Sequence, residues 1–501
     1  MWTEAEARRA DRATIDQGVP SAALMELAGF QVARWVRHQG LTGRILVLTG
    51  PGSNGGDGWV AARHLASNVS VTVVSDGVPR FPGADGVVRA ARQAGVQVVG
   101  YDHPLDAGLD SVTLVIDAVF GVGFHGTLDR HPAFRWLLAV AERRLPVVAV
   151  DLVSGTDTDT GRYTGPSVNV MATVTFGATK WGHVGYPGAG LTGSLVVADI
   201  GLAPTPGSGR WIDPRTAHDW IRPPRVLDHK YRRGHVVVIG GSRAMPGAPQ
   251  LAGWASLKAG AGLVELLLPA QAGVYLEVPE LIAHRLDDTA EGDLKMSPHL
   301  MDRARKADAV VIGPGLGHRV SPELLWRILA LGRPTVIDAD ALRLVPTMPP
   351  NLLARPEVVL TPHAGELGRL LGRSAQHVNQ DRRQYVLEAQ SRWGATCLLK
   401  GYRTLIAGPT EIWVNPSGQT ELATAGSGDV LSGVIGALLA QGYPGPVAAA
   451  LGAYWHGIAG DVIRPRMGHG ATSRDIIAAL PEAWQTIEQE GVPEGLPRYW
   501  K

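Results

Sequence analysis

Leu422-Ala-Thr-Ala-Gly-Ser-Gly-Asp-Val-Leu-Ser-Gly433 joins a glycine turn to the start of a buried helix. From Val430 to Leu439 the residues are mostly apolar with small Ser and Gly interruptions, and Gly442 and Pro444 end the run. Gly426, Ser427 and Gly428 let the backbone turn tightly, so free N–H groups face an anion at the positive end of the helix. Asp429, in the first turn, is placed to take a proton from an attacking hydroxyl while the amides hold charge developing on phosphorus. Alone, Gly-Ser-Gly-Asp serves equally well as an N-capping turn. Its surroundings favour chemistry.

Short β-branched runs precede this stretch at 235–241, 262–269, 307–314, 334–340, 357–363, 395–401, 404–408 and 411–415. The last three are close together and read as antiparallel, separated by Gly401 and the Gly408–Pro409 turn. An earlier series lies at 44–50, 69–75, 113–119, 146–152 and 172–177. Two helices precede it, the second carrying Leu24, Leu27, Ala28, Val32 and Trp35 on one face. Apolar strands alternating with helices predict parallel sheets covered on both faces, an α/β fold. The pattern dissolves at Gly201-Leu-Ala-Pro-Thr-Pro-Gly-Ser-Gly209. The predicted layout is a domain over 1–208, a linker over 209–224 and a second domain over 225–501.

A chain of 501 residues is too long for one core, which agrees with two domains. With 47 Lys and Arg against 46 Asp and Glu, and no dense basic block, neither nucleic acid nor an anionic membrane is an expected partner. The lone Cys397 lies in an apolar run and reads as a packed thiol, so thiolate zinc clusters and internal disulfides are excluded. The first residues are acidic and helical, without the apolar run of a signal peptide, and no membrane span is evident. A cytoplasmic protein is the expectation.

In the first half, Thr49-Gly-Pro-Gly-Ser-Asn-Gly-Gly-Asp-Gly58 follows a strand and opens a helix, placing backbone amides against an anionic ligand. It is not the dinucleotide fingerprint with an acidic residue on the next strand, nor a P-loop. Asp117-Ala-Val-Phe-Gly-Val-Gly-Phe-His-Gly-Thr127 and Asp151-Leu-Val-Ser-Gly155 stand at further strand ends. Any one of these acids could merely cap a turn. Three glycine-flanked acidic strand ends point to one crevice.

These motifs, with Leu24-Met-Glu-Leu-Ala-Gly29, closely resemble the signatures of the NAD(P)H-hydrate epimerase family over about residues 3–203. The resemblance implies a Rossmann-like three-layer sandwich that interconverts the R and S forms of NAD(P)H hydrated at C6. It assigns the hydrated nucleotide to Ser53, Asn54, Gly55, Gly56 and Asp57 and to Gly121, Val122, Gly123, Phe124, His125, Gly126 and Thr127. It implies a potassium ion on Asn54, Asp117 and Ser154, an oxygen set suited to a hard cation, with Asp151 as substrate-binding acid/base. Ser53 replaces a usual Asn and Val153 a usual Pro, and neither change removes the chemistry.

In the second half, Asp228-His-Lys-Tyr-Arg-Arg-Gly-His-Val-Val-Val-Ile-Gly-Gly-Ser242, Gly247-Ala-Pro249, Gly313-Pro-Gly-Leu-Gly317, Asp338-Ala-Asp-Ala-Leu342, Thr361-Pro-His-Ala-Gly-Glu366 and Lys400-Gly-Tyr-Arg-Thr404 sit at strand ends. Each has a plain structural explanation, and His363 by itself reads as a cap or packed ring. As an ordered set ending in Gly-Ser-Gly-Asp they resemble the ADP/ATP-dependent NAD(P)H-hydrate dehydratases, a branch of the ribokinase-like fold, over roughly 225–485. The resemblance places Ala248, Gly315, Gly317, His363 and Asp429 on the hydrated dinucleotide. It places Lys400, Gly401, Tyr402, Arg403, Thr404 and Gly428 on the adenine nucleotide, with Asp429 as base and magnesium accompanying ADP. Lys400 and Arg403 supply charge for phosphate, and Gly401 allows close backbone approach.

The combined expectation is a fused, homo-oligomeric repair enzyme acting on hydrated NADH and NADPH with ADP. A ribokinase-like vitamin or sugar kinase leaves the first half unexplained. A nucleotide-binding module without turnover fits poorly with Asn54, Asp117, Asp151 and Ser154 all present. An NAD(P)-dependent dehydrogenase lacks its ribose-binding fingerprint.

Overall fold

The computed structural model describes residues 1–77, 79–81, 83–223, 226–273, 277–493 and 495–500, with the side chains of 107 and 108 left aside. The chain forms two compact units. The first is Met1–Ser208 together with the chain's last strand, and the second is Gly209–Leu496.

In the first unit the strands are β1 (Arg44–Thr49), β2 (Ser70–Ser75), β3 (Gln97–Gly100), β4 (Val112–Ala118), β5 (Pro146–Val150), β6 (Asn169–Phe176) and β7 (Ser194–Ala198). The final strand, Arg498–Trp500, pairs parallel with β7, and the sheet order is that strand, then β7, β6, β5, β4, β1, β2 and β3. Alternation divides each strand between two cores. Ile45 and Val47 face the helices Ser21–His38 and Ser53–Leu65, while Leu46 and Leu48 face Trp136 and Leu137 of the helix Ala133–Glu142. That is a three-layer sandwich. Leu27, expected on the buried stripe of the helix Ser21–His38, is 42% exposed instead. Leu24, Ala28, Val32 and Trp35 share one arc of the helix, and Leu27 falls to its side. The strand order turns between β4 and β1, so the glycine turn after β1 and the acidic ends of β4 and β5 meet at one edge.

The second unit contains β8 (Arg210–Trp211), β9 (His235–Ile239), β10 (Leu263–Pro269), β11 (Ile282–Leu286), β12 (Ala309–Ile312), β13 (Thr335–Ile337), β14 (Val358–Leu360), β15 (Thr396–Leu399), β16 (Leu405–Ala407) and β17 (Ile412–Val414). The sheet order is β11, β10, β9, β12, β13, β14, β15, β16, β17 and β8. Pairs from β11 to β15 are parallel, and β15–β16 and β16–β17 are antiparallel. One face packs Val236, Leu266 and Val311 against Val434 and Leu438 of the helix Ser427–Ala440, with Ala252 and Tyr454 from neighbouring helices.

Residues 209–223, expected within a linker, contain β8 and the helix Pro214–Trp220. Asp213 caps that helix by accepting from Thr216 N at 2.7 Å, and β8 pairs with β17. A two-residue strand is too short to carry a periodicity. Residue 224 lies outside the described residues. Among the described residues no helix is long and apolar enough to cross a membrane.

Candidate active sites

β1 runs through a glycine turn into the helix Ser53–Leu65, so Ser53, Asn54, Gly55, Gly56 and Asp57 open that helix. A side chain on Gly55 would strike the Gly50 carbonyl, and one on Gly50 the Val119 carbonyl, so this turn closes only with glycine. At the end of β4, Asp117 is fully buried, accepting from Ser154 Oγ at 2.5 Å and Ser154 N at 2.9 Å. Burial pushes its carboxyl up, against the hydrogen bonds from Ser154 and Val119.

Asp151 follows β5 in the left-handed region, with φ +65°. Its Oδ2 accepts from Val122 N at 3.2 Å, and its Oδ1 accepts from Thr175 Oγ1 at 2.8 Å and from Lys180 Nζ at 2.6 Å. Lys180 is itself buried, and its ammonium also donates to Thr175 Oγ1 and the Phe176 carbonyl. His183 holds the Asp151 carbonyl at 2.8 Å. Burial alone would raise the Asp151 carboxyl, but Lys180, His183 and Thr175 outweigh it and hold it below the usual carboxylate range. Asp57 goes the other way, pushed well up by burial and by the charges of Asp151 and Asp11.

Asn54 Oδ1 and Asp151 Oδ2 both come within 3.0 Å of where a side chain on Gly121 would begin, so glycine is required there. Asn54 Nδ2 is buried without a hydrogen-bond partner. The Phe120 carbonyl, Ser154 Oγ and Asp117 offer oxygens around one buried carboxylate, and Asn54 Oδ1 lies against the neighbouring Gly121, a donor set that fits a hard monovalent cation. In the 121–127 segment, Val122 N and Gly123 N bond to Asp151 and Thr158, whereas Phe124 is buried against Phe120. His125, Gly126 and Thr127 are exposed, with His125 Nε2 3.0 Å from Glu4. Sequence reasoning missed Lys180, Thr175 and His183. The available signal was the lone lysine after Phe176-Gly-Ala-Thr at a strand end.

In the second unit the helix Ser427–Ala440 starts after Gly426, whose φ is +81°, and Asp429 lies in its first turn. Lys400, at the end of β15, places Nζ 2.8 Å from Asp338 Oδ1, 3.8 Å from Glu366 Oε2, and 3.3 Å from the Cβ position that Gly428 lacks. Burial works against the Lys400 ammonium, but Asp338, Glu366 and Asp429 together raise it. Asp429 is raised to about 7 by burial and by the nearby Asp338 and Asp340, with Lys400 opposing.

Gly315 and Gly317 turn with positive φ after β12, where Gly315 abuts Ala248 and Met245 and Gly317 N donates to Asp340 Oδ2 at 2.9 Å. His363 Nδ1 caps the helix Ala364–Leu371 by accepting from Gly365 N at 3.0 Å, and Lys400 bridges beside His363. A cavity of about 700 Å³ gathers His363, Gly428 and residues 400–404. Its walls also include Ser427 of the glycine turn, and Asn415 and His456, which sequence reasoning missed. His456 hides in the apolar run of the helix Gly445–Met467, where burial pushes it down to about 4, and its Nε2 lies 3.2 Å from Ser427 Oγ. Arg403 also lines this cavity, with its guanidinium buried over the Trp211 and Tyr402 rings, while Lys400 is the charge beside the helix terminus. Cys397 is buried and its thiol is pushed up to about 12 by burial, as expected of a packed cysteine.

Residues 236–482 match the family model described as NAD(P)H-hydrate dehydratase, and residues 21–182 the model described as YjeF-related protein N-terminus. A bifunctional NAD(P)H-hydrate repair enzyme of Moorella thermoacetica is 38% identical, with 98% of this chain and 97% of the relative covered. One of Escherichia coli is 34% identical, with 96% and 93% covered. Among solved structures, a ribokinase-like superfamily protein of Enterococcus faecalis is similar with a TM-score of 0.50 at 28% identity, over 56% of this chain and 97% of its own. With both halves matched and these relatives covered over nearly their whole length, the chain belongs to the family of bifunctional NAD(P)H-hydrate repair enzymes.

Proposed function

We propose that this chain returns hydrated NADH and NADPH to their working forms, the first unit epimerising C6 and the second dehydrating the S epimer at the expense of ADP. The carrying observation is Asp429, a carboxylate raised to about 7 in the first turn of a glycine-started helix beside Lys400. At neutral pH such a group both holds and releases a proton, as a general base must. Asp429 takes the proton of the C6 hydroxyl as its oxygen bonds to the β-phosphorus of ADP and AMP departs. The Gly428 amide and Lys400 offset charge on the transferring group. The ring nitrogen lone pair then expels phosphate from C6, and loss of a C5 proton restores the dihydropyridine.

Magnesium bound with the nucleotide would neutralise phosphate charge. Among the described residues no three His, Cys, Asp or Glu side chains converge on a metal, which suits an ion held largely by phosphate and water. Asp338, Asp340 and Glu366 are the acids near Lys400 and Asp429 that could reach it.

In the first unit, we assign proton transfer at the C6 hydroxyl to Asp151, held by Lys180, Thr175 and Val122, and the hydrated nucleotide to 53–57 and 121–127. Asn54, Asp117 and Ser154 would hold potassium, which would anchor the β4 and β5 turns around the ligand. The test is to give mixed R and S hydrated NADH with ADP, then with ATP, and follow the reduced-nicotinamide absorbance. Full recovery of both epimers, faster with ADP, is expected. Absence of recovery with either nucleotide rejects the reading.

A further inference from the structure

One cavity of the first unit has no part in the chemistry described so far. It holds about 790 Å³ and is lined by Ser75 at the end of β2, by Asp76 and Gly77 just past it and by Tyr101 and Asp102 just past β3, with Trp59 from the helix that follows the glycine turn. The sequence shows no acid within the 69–75 run. The structure ends β2 at Ser75, so Asp76 stands at the C-terminal end of the strand beside β1.

In open parallel sheets a dinucleotide lies across the strand ends at the point where strand order turns, and an acid past the second strand meets the ribose hydroxyls. Here the reacting ring is assigned to the β5 side through Asp151. From β5 the order runs through β4 and β1 to β2. Three strand spacings place the end of β2 about 14 Å away, a distance of the order an extended dinucleotide covers. One buried donor lines the cavity and a second stands behind its wall, beside Asp76. Trp59 is 1% exposed and its indole N–H has no hydrogen-bond partner. His131 Nδ1 accepts from Ala133 N, so in the neutral ring Nε2 carries the hydrogen. That Nε2 is also buried without a hydrogen-bond partner, and at 3.8 Å from Asp76 Oδ2 it is beyond hydrogen-bond reach.

We propose that this cavity takes the adenosine half of the hydrated dinucleotide, with the Asp76 carboxylate accepting hydrogen bonds from the ribose hydroxyls. The inference rests on the epimerase reading and deepens it. Arg135, on the same wall, is held by the Tyr101 and His103 carbonyls. The Asp76 carboxylate facing the 2′ position repels a phosphate there and outweighs Arg92, which also lines the cavity, so the first unit favours the hydrate of NADH over that of NADPH. Trp59 Nε1 supplies a donor to the ribose or base, and His131 stands behind Asp76.

The experiment uses the full chain without ADP, so that dehydration is silent. Purified R hydrates of NADH and NADPH are supplied separately, and appearance of the S epimer is followed by chromatography. For the wild type, kcat/KM should favour the NADH hydrate by roughly tenfold, the worth of one charge-assisted hydrogen bond. Asp76→Asn should lower kcat/KM for the NADH hydrate by roughly tenfold while leaving the NADPH hydrate unchanged or faster. Trp59→Phe should raise KM for both. Dehydration of the S hydrate by the same variants reports that the chain is intact, and Asp76→Ser serves if Asp76→Asn does not fold. A wild type indifferent to the 2′-phosphate, or an Asp76 variant with the wild-type ratio, overturns the proposal. A wild type that epimerises neither hydrate instead overturns the epimerase reading beneath it.

Discussion

Asp151 follows a strand and Asp429 a glycine turn, and their neighbours drive them in opposite directions. Asp429 is raised to about 7 by burial and like charges, so it is protonated below that pH and a base above it. For the free enzyme, kcat/KM for dehydration should fall as pH drops through about 7. Asp338→Asn removes a like charge and should move that acid limb lower. Asp429→Asn should keep ADP binding, measured by calorimetry, and lose turnover by roughly 10²–10⁴-fold. Asp151 is instead held ionised by a buried ammonium. Its folded-state pKa is depressed, so its stabilisation is present above the ordinary carboxylate value and lost as pH falls through the folded one. Lys180→Met should therefore cost about 3–5 kcal/mol in urea unfolding and abolish epimerisation, because it strands a buried charge. Asp117, Asp151 and Asp429 were legible because each follows a strand or a glycine turn. Lys180 and His456 were not, since their roles come from chain segments that meet only in three dimensions.

At the scale of elements, the helix Ser427–Ala440 depends on the residue that caps its start being a glycine. Gly426 has φ +81°, and a side chain there would press on Leu251 and Ser473. Gly426→Ala should cost at least about 1 kcal/mol in thermal unfolding and weaken ADP binding, because the helix terminus would shift from Lys400. Most strands were legible as apolar β-branched runs, including the antiparallel pairings of β15 to β17. The exceptions are instructive. β3 at the end of its sheet is only partly buried, β11 reads Ile-Ala-His-Arg-Leu at a sheet edge, β8 has two residues, and β7, though apolar and buried, has only five. Strands toward a sheet's edge are less enclosed, so the signal that marks central strands fades there. The ring of Trp211, within the expected linker, packs beneath Arg403 for the same reason of length: its partner strand lies about 200 residues on.

For the molecule as a whole, two units with separate sites predict separable reactions. Asp151→Ala should leave dehydration intact. A mixture of epimers should then recover rapidly for the S portion and slow to the spontaneous rate of epimerisation, whereas the wild type continues toward completion. A single phase to completion in the folded variant would withdraw Asp151 from the chemistry. Sequence reasoning found two domains but not that the chain's end rejoins the first, since three residues at 498–500 carry no pattern of their own. That strand has a consequence for birth on the ribosome. The first sheet lacks its outermost member until nearly 300 further residues have been made, about 15–60 s at ordinary synthesis rates. During that interval the outer edge of β7 is uncovered, an invitation to stray pairing. Completion of the first unit is thereby timed to follow emergence of the second, and a chain stopped early remains marked by an open edge.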